Sequence, residues 1–131
     1  MEQTLGIVIR WFRYSDSSLI VHWVTQDHGR LNTMARGALR AKSSFKGKLD
    51  LFNQCQLSFK RSRQSTLHTL HEVQLQKHHS ALSRQLSRFE QACYASQLIN
   101  QCIEEDTPVE GLFELFDTYL MGMQAAQTKS C

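Results

Sequence analysis

Arg36, Arg40, Lys42, Lys46, Lys48, Lys60, Arg61 and Arg63 fall between positions 36 and 63, with Asp50 the only acid in that stretch. Lysine and arginine at this density do one kind of chemistry well: they attract phosphate backbones and release counterions on contact. Basic loops also serve as plain solvated surface, but a small β-rich chain needs no such imbalance for solubility. Arg10, Arg13 and Arg30 extend the field upstream. Trp11, Phe12, Tyr14, Trp23, Phe45, Phe52 and Phe59 interleave with these cations. Basic grooves with aromatic platforms suit single-stranded nucleic acid, because every base has a face to stack. Alternation groups Trp11 with Ile7 and Ile9, and Trp23 with Leu19 and Val21, so both indoles are expected in the core. Phe45 lies in a polar connection and is the stacking candidate.

Residues capable of covalent chemistry are not arranged for it. Phe45-Lys46-Gly47-Lys48 lacks the spacing of a phosphate-binding loop, and no G-x-S-x-G elbow occurs. The acids of the first half, Glu2, Asp16, Asp27 and Asp50, form no acid/base pair motif. His68 and His71 are three apart, which on a strand means opposite faces, so they do not share a metal. Cys55, Cys93, Cys102 and Cys131 include no C-x-x-C pair, which excludes a zinc ribbon or a redox motif. They are expected to be buried thiols. No catalytic turnover, ATP dependence, cofactor or metal is expected.

These side chains must be held by a chain of 131 residues, 41% hydrophobic and 21% charged, which fits one domain or a small domain with an appendage. Mean hydropathy is -0.39 and no apolar run approaches 18 residues, so no membrane helix is expected. The run Leu5 to Ile9 is too short for a secretory signal, and a cytoplasmic location is expected. Residues 1–64 hold 11 Lys+Arg and 4 Asp+Glu, and residues 65–131 hold 4 and 8, so charges of +7 and -4 make up the net +3. A polyanion-binding module followed by a different one would give this asymmetry.

Leu5 to Tyr14, Ser18 to Gln26 and Arg30 to Gly37 read as strands, separated by Ser15-Asp16-Ser17 and by Asp27-His28-Gly29, where glycine can take a positive φ. Residues 38–48 form a basic connection. Asp50 to Lys60 and Thr66 to Gln76 read as strands four and five. After His79 the period lengthens to about 3.6. Leu82, Leu86, Phe89, Cys93, Ile99, Cys102 and Ile103 mark one helix, with Ser80 as its N-cap and a break at Glu104-Glu105-Asp106. Thr107-Pro108-Val109-Glu110 signals the start of a second, carrying Val109, Leu112, Phe113, Phe116, Leu120 and Met123. The pattern predicts a mainly β fold with an α appendage: a five-stranded barrel over 1–79 and two helices over 80–131. An OB-type Greek-key barrel suits it, and so does an SH3-like one.

Several stretches make the chain recognisable. Tyr14-Ser15-Asp16-Ser17-Ser18-Leu19-Ile20-Val21, Asp27-His28-Gly29-Arg30-Leu31, Ala35-Arg36-Gly37-Ala38, Lys42-Ser43, Gly47, Leu49, Phe52 and Leu67-His68-Thr69-Leu70-His71-Glu72-Val73 resemble the bacterial RecO family of DNA repair proteins. The run G-R-L-x-x-x-A-R-G-A is the most specific element. The match covers about residues 5–76, and 80–123 looks like the start of that family's helical domain. The resemblance implies an OB-fold that binds single- and double-stranded DNA and anneals strands. It also implies a mediator role near the nucleoid, working with RecR to load RecA onto DNA coated by single-strand-binding protein. Arg36, Arg40, Lys42, Lys46 and Lys48, then Arg10, Arg13 and Arg30, carry over as DNA contacts. Ala41 stands where the family often has proline. Family members are longer, and the cysteines here do not match the zinc-binding cluster some of them carry.

The expected function is thus a non-enzymatic DNA-binding recombination mediator. A protein-interaction adaptor and an RNA-binding barrel protein are the alternatives. Apolar width on the second helix, from Phe113, Leu115 and Tyr119, leads us to expect self-association through 107–123 or poor order there.

Overall fold

The computed structural model describes residues 1–79 and 82–129. Its strands are β1 (Glu2–Arg13), β2 (Leu19–Thr25), β3 (Gly29–Ala35), β4 (Gln54–Lys60) and β5 (Leu67–Lys77). They close into a barrel in the order β1-β2-β3-β5-β4, with β4 returning antiparallel to β1. All pairings are antiparallel except β3 with β5, which run parallel from Asn32↔Leu67 to Met34↔Thr69. A five-stranded closed Greek-key barrel with this single parallel seam is the OB arrangement. A short 3-10 turn (Leu82–Arg84) leads to α1 (Leu86–Cys102), and α2 (Leu112–Lys129) follows.

Alternation fills the barrel with Val8, Leu19, Val21, Trp23, Leu31, Ala35, Cys55, Leu57, Phe59, Leu70 and Val73. Trp23 is fully buried, as the sequence suggests, and its indole N–H donates to Thr33 Oγ1 at 2.9 Å. Burial pushes the Cys55 thiol up to about 12, so it behaves as a small apolar residue. Cys93 is half-buried and Cys102 is exposed, contrary to the expectation of buried thiols; Cys131 lies outside the described residues.

A second core lies outside the barrel wall. Ile7, Ile9 and Val24, from the outer faces of β1 and β2, pack with Phe52, Leu82, Ala92 and the α2 residues Phe113, Phe116, Leu120 and Met123. The apolar stripe of α2 is therefore covered by the barrel itself. Leu86 and Cys102 fall off the α1 stripe and are exposed.

Three boundaries differ from the sequence expectation. Strand four begins at Gln54, because residues 50–53 turn, with Phe52 at φ 69 and its N–H donating to Val8 O. The second helix begins at Leu112, because Gly111 sits at φ 80 and Thr107 Oγ1 donates to Glu105 O instead of capping. The first helix is preceded by a 3-10 turn and has Gln85 at its N-cap position; Ser80 lies outside the described residues. The break after α1 falls where expected, with Asp106 at φ 58.

β1 carries the most consequential irregularity. Val8 pairs with Trp23 and Arg10 with His22, so Ile9 is an extra, bulged residue. A one-residue slip sends every later side chain to the opposite face. Trp11 therefore leaves the row of Ile7 and Ile9 and stands opposite Val21, at the barrel mouth and 45% exposed. The expectation that Trp11 is core fails for this reason.

Candidate nucleic-acid interface

The barrel has two ends, and its cations divide between them. One end, the mouth, gathers the end of β1, the β1–β2 turn and the segment after β3. Ser18 N–H donates to Ser15 Oγ at 3.2 Å, folding the turn back on itself. Leu39 N–H donates to Ser17 O at 2.9 Å, and Gly37 N–H to Ser18 Oγ at 3.3 Å. These bonds seat Arg36 and Arg40 beside Tyr14, and the three residues line one cleft. Beyond Arg40 the chain descends through successive turns, Ser43 N–H to Arg40 O and Lys46 N–H to Ser43 O.

Phe45 anchors this segment. It is only 7% exposed and belongs to the barrel core with Ala38 and Leu49. The stacking role expected for Phe45 is thereby corrected: its ring plugs the mouth and offers no face to a base. A lone aromatic in a polar loop had a simpler use, as the apolar pin that holds the loop down. The aromatics that are exposed at this end are Trp11 and Tyr14.

Arg13, Arg36, Arg40, Lys42 and Lys46 are exposed here and make no ion pair among the described residues. Arg10 is also exposed, with its guanidinium 5.0 Å from the Phe12 ring centroid. Lys48 is half-buried, and its Nζ donates to Val73 O at 3.2 Å, which makes it partly structural.

The opposite end uses its arginines differently. Arg61 grips Glu2 with two bonds, Nε to Oε2 at 2.6 Å and Nη2 to Oε1 at 3.1 Å, and its Nη1 pairs with Asp106. Such a fork-on-carboxylate grip is strong and directional. Asp106 also accepts from His68 Nε2 at 2.9 Å. Ser62 N–H donates to His68 Nδ1 at 2.9 Å, so the neutral ring must carry its hydrogen on Nε2. Burial alone would raise the Asp106 carboxyl, but the bonds from Arg61 and His68 hold it below its ordinary value. The Arg61 bond likewise lowers Glu2. His68 is buried and His71 exposed, on opposite faces as the spacing requires. Lys60 and Arg63 are exposed at this end.

Arg30 is 9% exposed and fully engaged. Its Nε donates to Ile103 O at 2.9 Å, its Nη1 to Asn100 Oδ1 at 2.8 Å, and its Nη2 pairs with Glu105 at 3.2 Å. Its placement among DNA contacts is thereby corrected, and Arg61 is held in the same way. Both bind acids from the α1–α2 connection, which no local spacing brings near them. Asn100 Oδ1 also lies 2.7 Å from His22 Nδ1. Arginine can only donate, so that Asn100 atom is an acceptor and His22 Nδ1 carries the hydrogen. Burial holds His22 below its ordinary imidazole value. Among the described residues no three metal-ligating side chains converge. No described helix is long and apolar enough to cross a membrane.

Comparison with known proteins agrees with this geometry. The model of the Recombination protein O N terminal family matches residues 1–79. The DNA repair protein RecO of Rhodopirellula baltica is 32% identical over 111 residues, which covers 85% of this chain and 41% of the relative. That of Syntrophus aciditrophicus is 31% identical over 126 residues, 96% of this chain and 49% of the relative. That of Salinibacter ruber is 30% identical over 127 residues, 97% and 49%. The chain spans about half the length, 41% to 49%, of these curated relatives.

Proposed function

The chain belongs to the recombination protein O family, and from that premise we propose that it is a non-enzymatic DNA-binding repair factor. It binds single- and double-stranded DNA through the barrel mouth and anneals strands by screening their repulsion. The observation that carries this reading is the set of exposed cations at one end, Arg13, Arg36, Arg40, Lys42 and Lys46, none of them in an ion pair among the described residues. Surface cations without partners are what a phosphate backbone needs. Residues 1–79 form the binding unit, and 80–131 the start of a helical domain. In the cell we place it in the cytoplasm beside the nucleoid. Its recombination role is to help RecA load onto DNA coated by single-strand-binding protein, with RecR as partner.

A titration of single-stranded DNA, duplex DNA and RNA over a salt series tests the reading. Neutralising about four to six phosphates gives a log K against log salt slope of about -3 to -4 for single strands. A slope near zero for all three would leave the adaptor reading, and a clear preference for RNA would favour the third. Reversing Arg40, Lys42 and Lys46 together should weaken binding far more than reversing Arg84 and Arg88 on the helical side. Nucleotide hydrolysis that follows the purified protein and is lost on Arg36→Ala would overturn the non-enzymatic assignment.

The helices support a protein contact as well. Leu86, Tyr94 and Leu98 of α1 and Leu115 and Met121 of α2 are exposed. We take a second copy as the occupant of this apolar surface, and Leu115→Glu should then abolish concentration-dependent mass in light scattering. A monomer at every concentration would overturn it.

A further inference from the structure

Trp11 is, with Tyr14, one of two aromatic side chains exposed at the mouth that the barrel core does not account for. A large aromatic left 45% exposed, on a strand whose other indole-bearing partner β2 buries Trp23 completely, forgoes stabilisation that folding normally takes. It is exposed because the bulge at Ile9 turns it toward the mouth. There it borders a cleft of about 500 Å³ between β1 and α1, within the range of about 300–1,000 Å³ typical of small-molecule sites.

The lining of that cleft is specific in kind. Arg10 and Trp11 form one wall, Gln97, Asn100 and Gln101 of α1 form the other, and no acid lines it. A carboxamide offers both a donor and an acceptor, so it can meet the edge of any base. Asn100 is itself immobilised by Arg30 and His22, which fixes α1 against the barrel and keeps the cleft open before anything binds. Trp11 also borders the cleft formed by Arg40, Phe45 and Lys46. A strand held there by its phosphates would pass directly over the indole.

We infer that the cleft between β1 and α1 receives one unstacked nucleobase of a single strand, stacked on Trp11 and met at its edge by Gln97 and Gln101. The inference rests on the reading of the mouth as the DNA surface. It adds a site that duplex DNA cannot use, since a paired base cannot enter. Base–aromatic stacking is tolerant of sequence, and the amides are ambivalent, so no base preference is expected.

The full chain titrated with oligothymidylate, with a strand of abasic sites and with a duplex decides it. Trp23 is buried, so a change of tryptophan emission on binding reports Trp11. Oligothymidylate should quench it and the abasic strand should not. Trp11→Ala should weaken oligothymidylate binding about five- to a hundredfold, the range expected for one stacked base. It should leave the salt slope, duplex binding and abasic binding within about twofold, and Trp11→Phe should restore most of the loss. Gln97→Ala with Gln101→Ala should cost a few-fold on oligothymidylate alone. Retained emission of buried Trp23 in Trp11→Ala reports that the barrel is folded. Equal losses on all three ligands, or none on oligothymidylate, would overturn the slot while leaving the basic surface intact. Absence of any salt-dependent binding by the unaltered chain would instead overturn the parent reading, and the slot with it.

Discussion

The two ends of the barrel carry the same residue type and put it to opposite uses. At the mouth, Arg13, Arg36 and Arg40 face solvent and make no ion pair among the described residues. At the other end, Arg30 and Arg61 are locked to Glu105, Glu2 and Asp106. The difference comes from Glu2 and from the acidic second half of the chain, whose α1–α2 connection reaches this end. There it forms a bridge between Arg30 and Glu105, and Asp106 N–H donates to Arg30 O at 2.6 Å. It patches β3 on the side where β5 begins pairing only at Asn32. A count of cations therefore overstates the binding surface, because some of them fasten the helical segment to the barrel.

The most damaging single change should be at Gly29. Its φ is 66, and an added Cβ would lie 2.0 Å from Thr107 O, a backbone atom that cannot swing aside. Gly29→Ala should cost about 3 kcal/mol in urea unfolding, from strain and from loss of the patched end. A change under about 0.5 kcal/mol, the level of a neutral surface substitution, would show that the connection is not held as described.

At the mouth, the combined reversal Arg36→Glu, Arg40→Glu and Lys46→Glu should weaken single-strand binding about a hundredfold at low salt, with a flatter salt slope. Lys60→Glu with Arg63→Glu, at the fastened end, should cost only a few-fold. Equal losses would erase the distinction between the ends.

Arg30→Leu sharpens the contrast from the other side. It should cost about 2 kcal/mol of stability, because Glu105 and Asn100 lose their buried partner, a kind of loss that reaches about 3–5 kcal/mol in deeper sites. DNA affinity, corrected for folded fraction, should stay within about twofold, well under the tenfold that 1.4 kcal/mol would give. Lost affinity at unchanged stability would return Arg30 to the contact set.

The smallest effect is that of pH. His22 faces Asn100, Arg30, Arg10 and Glu105, and burial lowers its folded value. The unfolded chain then binds more protons, so stability falls as pH drops through the unfolded histidine value of about 6.5. His79, facing Asp117, Lys77 and His78 and also lowered by burial, acts in the same direction. Glu2 and Asp106 are depressed carboxyls, so their stabilisation is present above their unfolded values and lost as pH falls through the folded ones. Thermal unfolding should therefore show a shallow decline below about 6.5 and a steeper one below about 4. His22→Gln should remove part of the first step, and an unchanged profile would contradict the burial argument.

Much of this molecule was legible in order and type. Period two, the turn clusters around Asp16 and Gly29, and the change of period after His79 follow from local chemistry, so five strands and two helices could be read directly. The closing of those strands with β3 parallel to β5 agreed with a five-strand pattern and a long third connection. The family motifs, carried on residues 14–73, pointed to the same barrel.

The roles of individual side chains were settled elsewhere. No spacing rule joins Arg61 to Asp106, 45 residues away, or Arg30 to Asn100, 70 residues away. Phe45 stands in a polar stretch, and only the open barrel mouth above Leu49 explains why it turns inward. Trp11 obeys alternation until one bulged residue, Ile9, reverses it. Local pattern thus determined which segments fold as strands and helices and where charge concentrates, because those depend on neighbours along the chain. Which arginine is a fastener, which ring is a plug and which indole faces solvent depended on partners brought together by the fold, and only the tertiary structure could decide it.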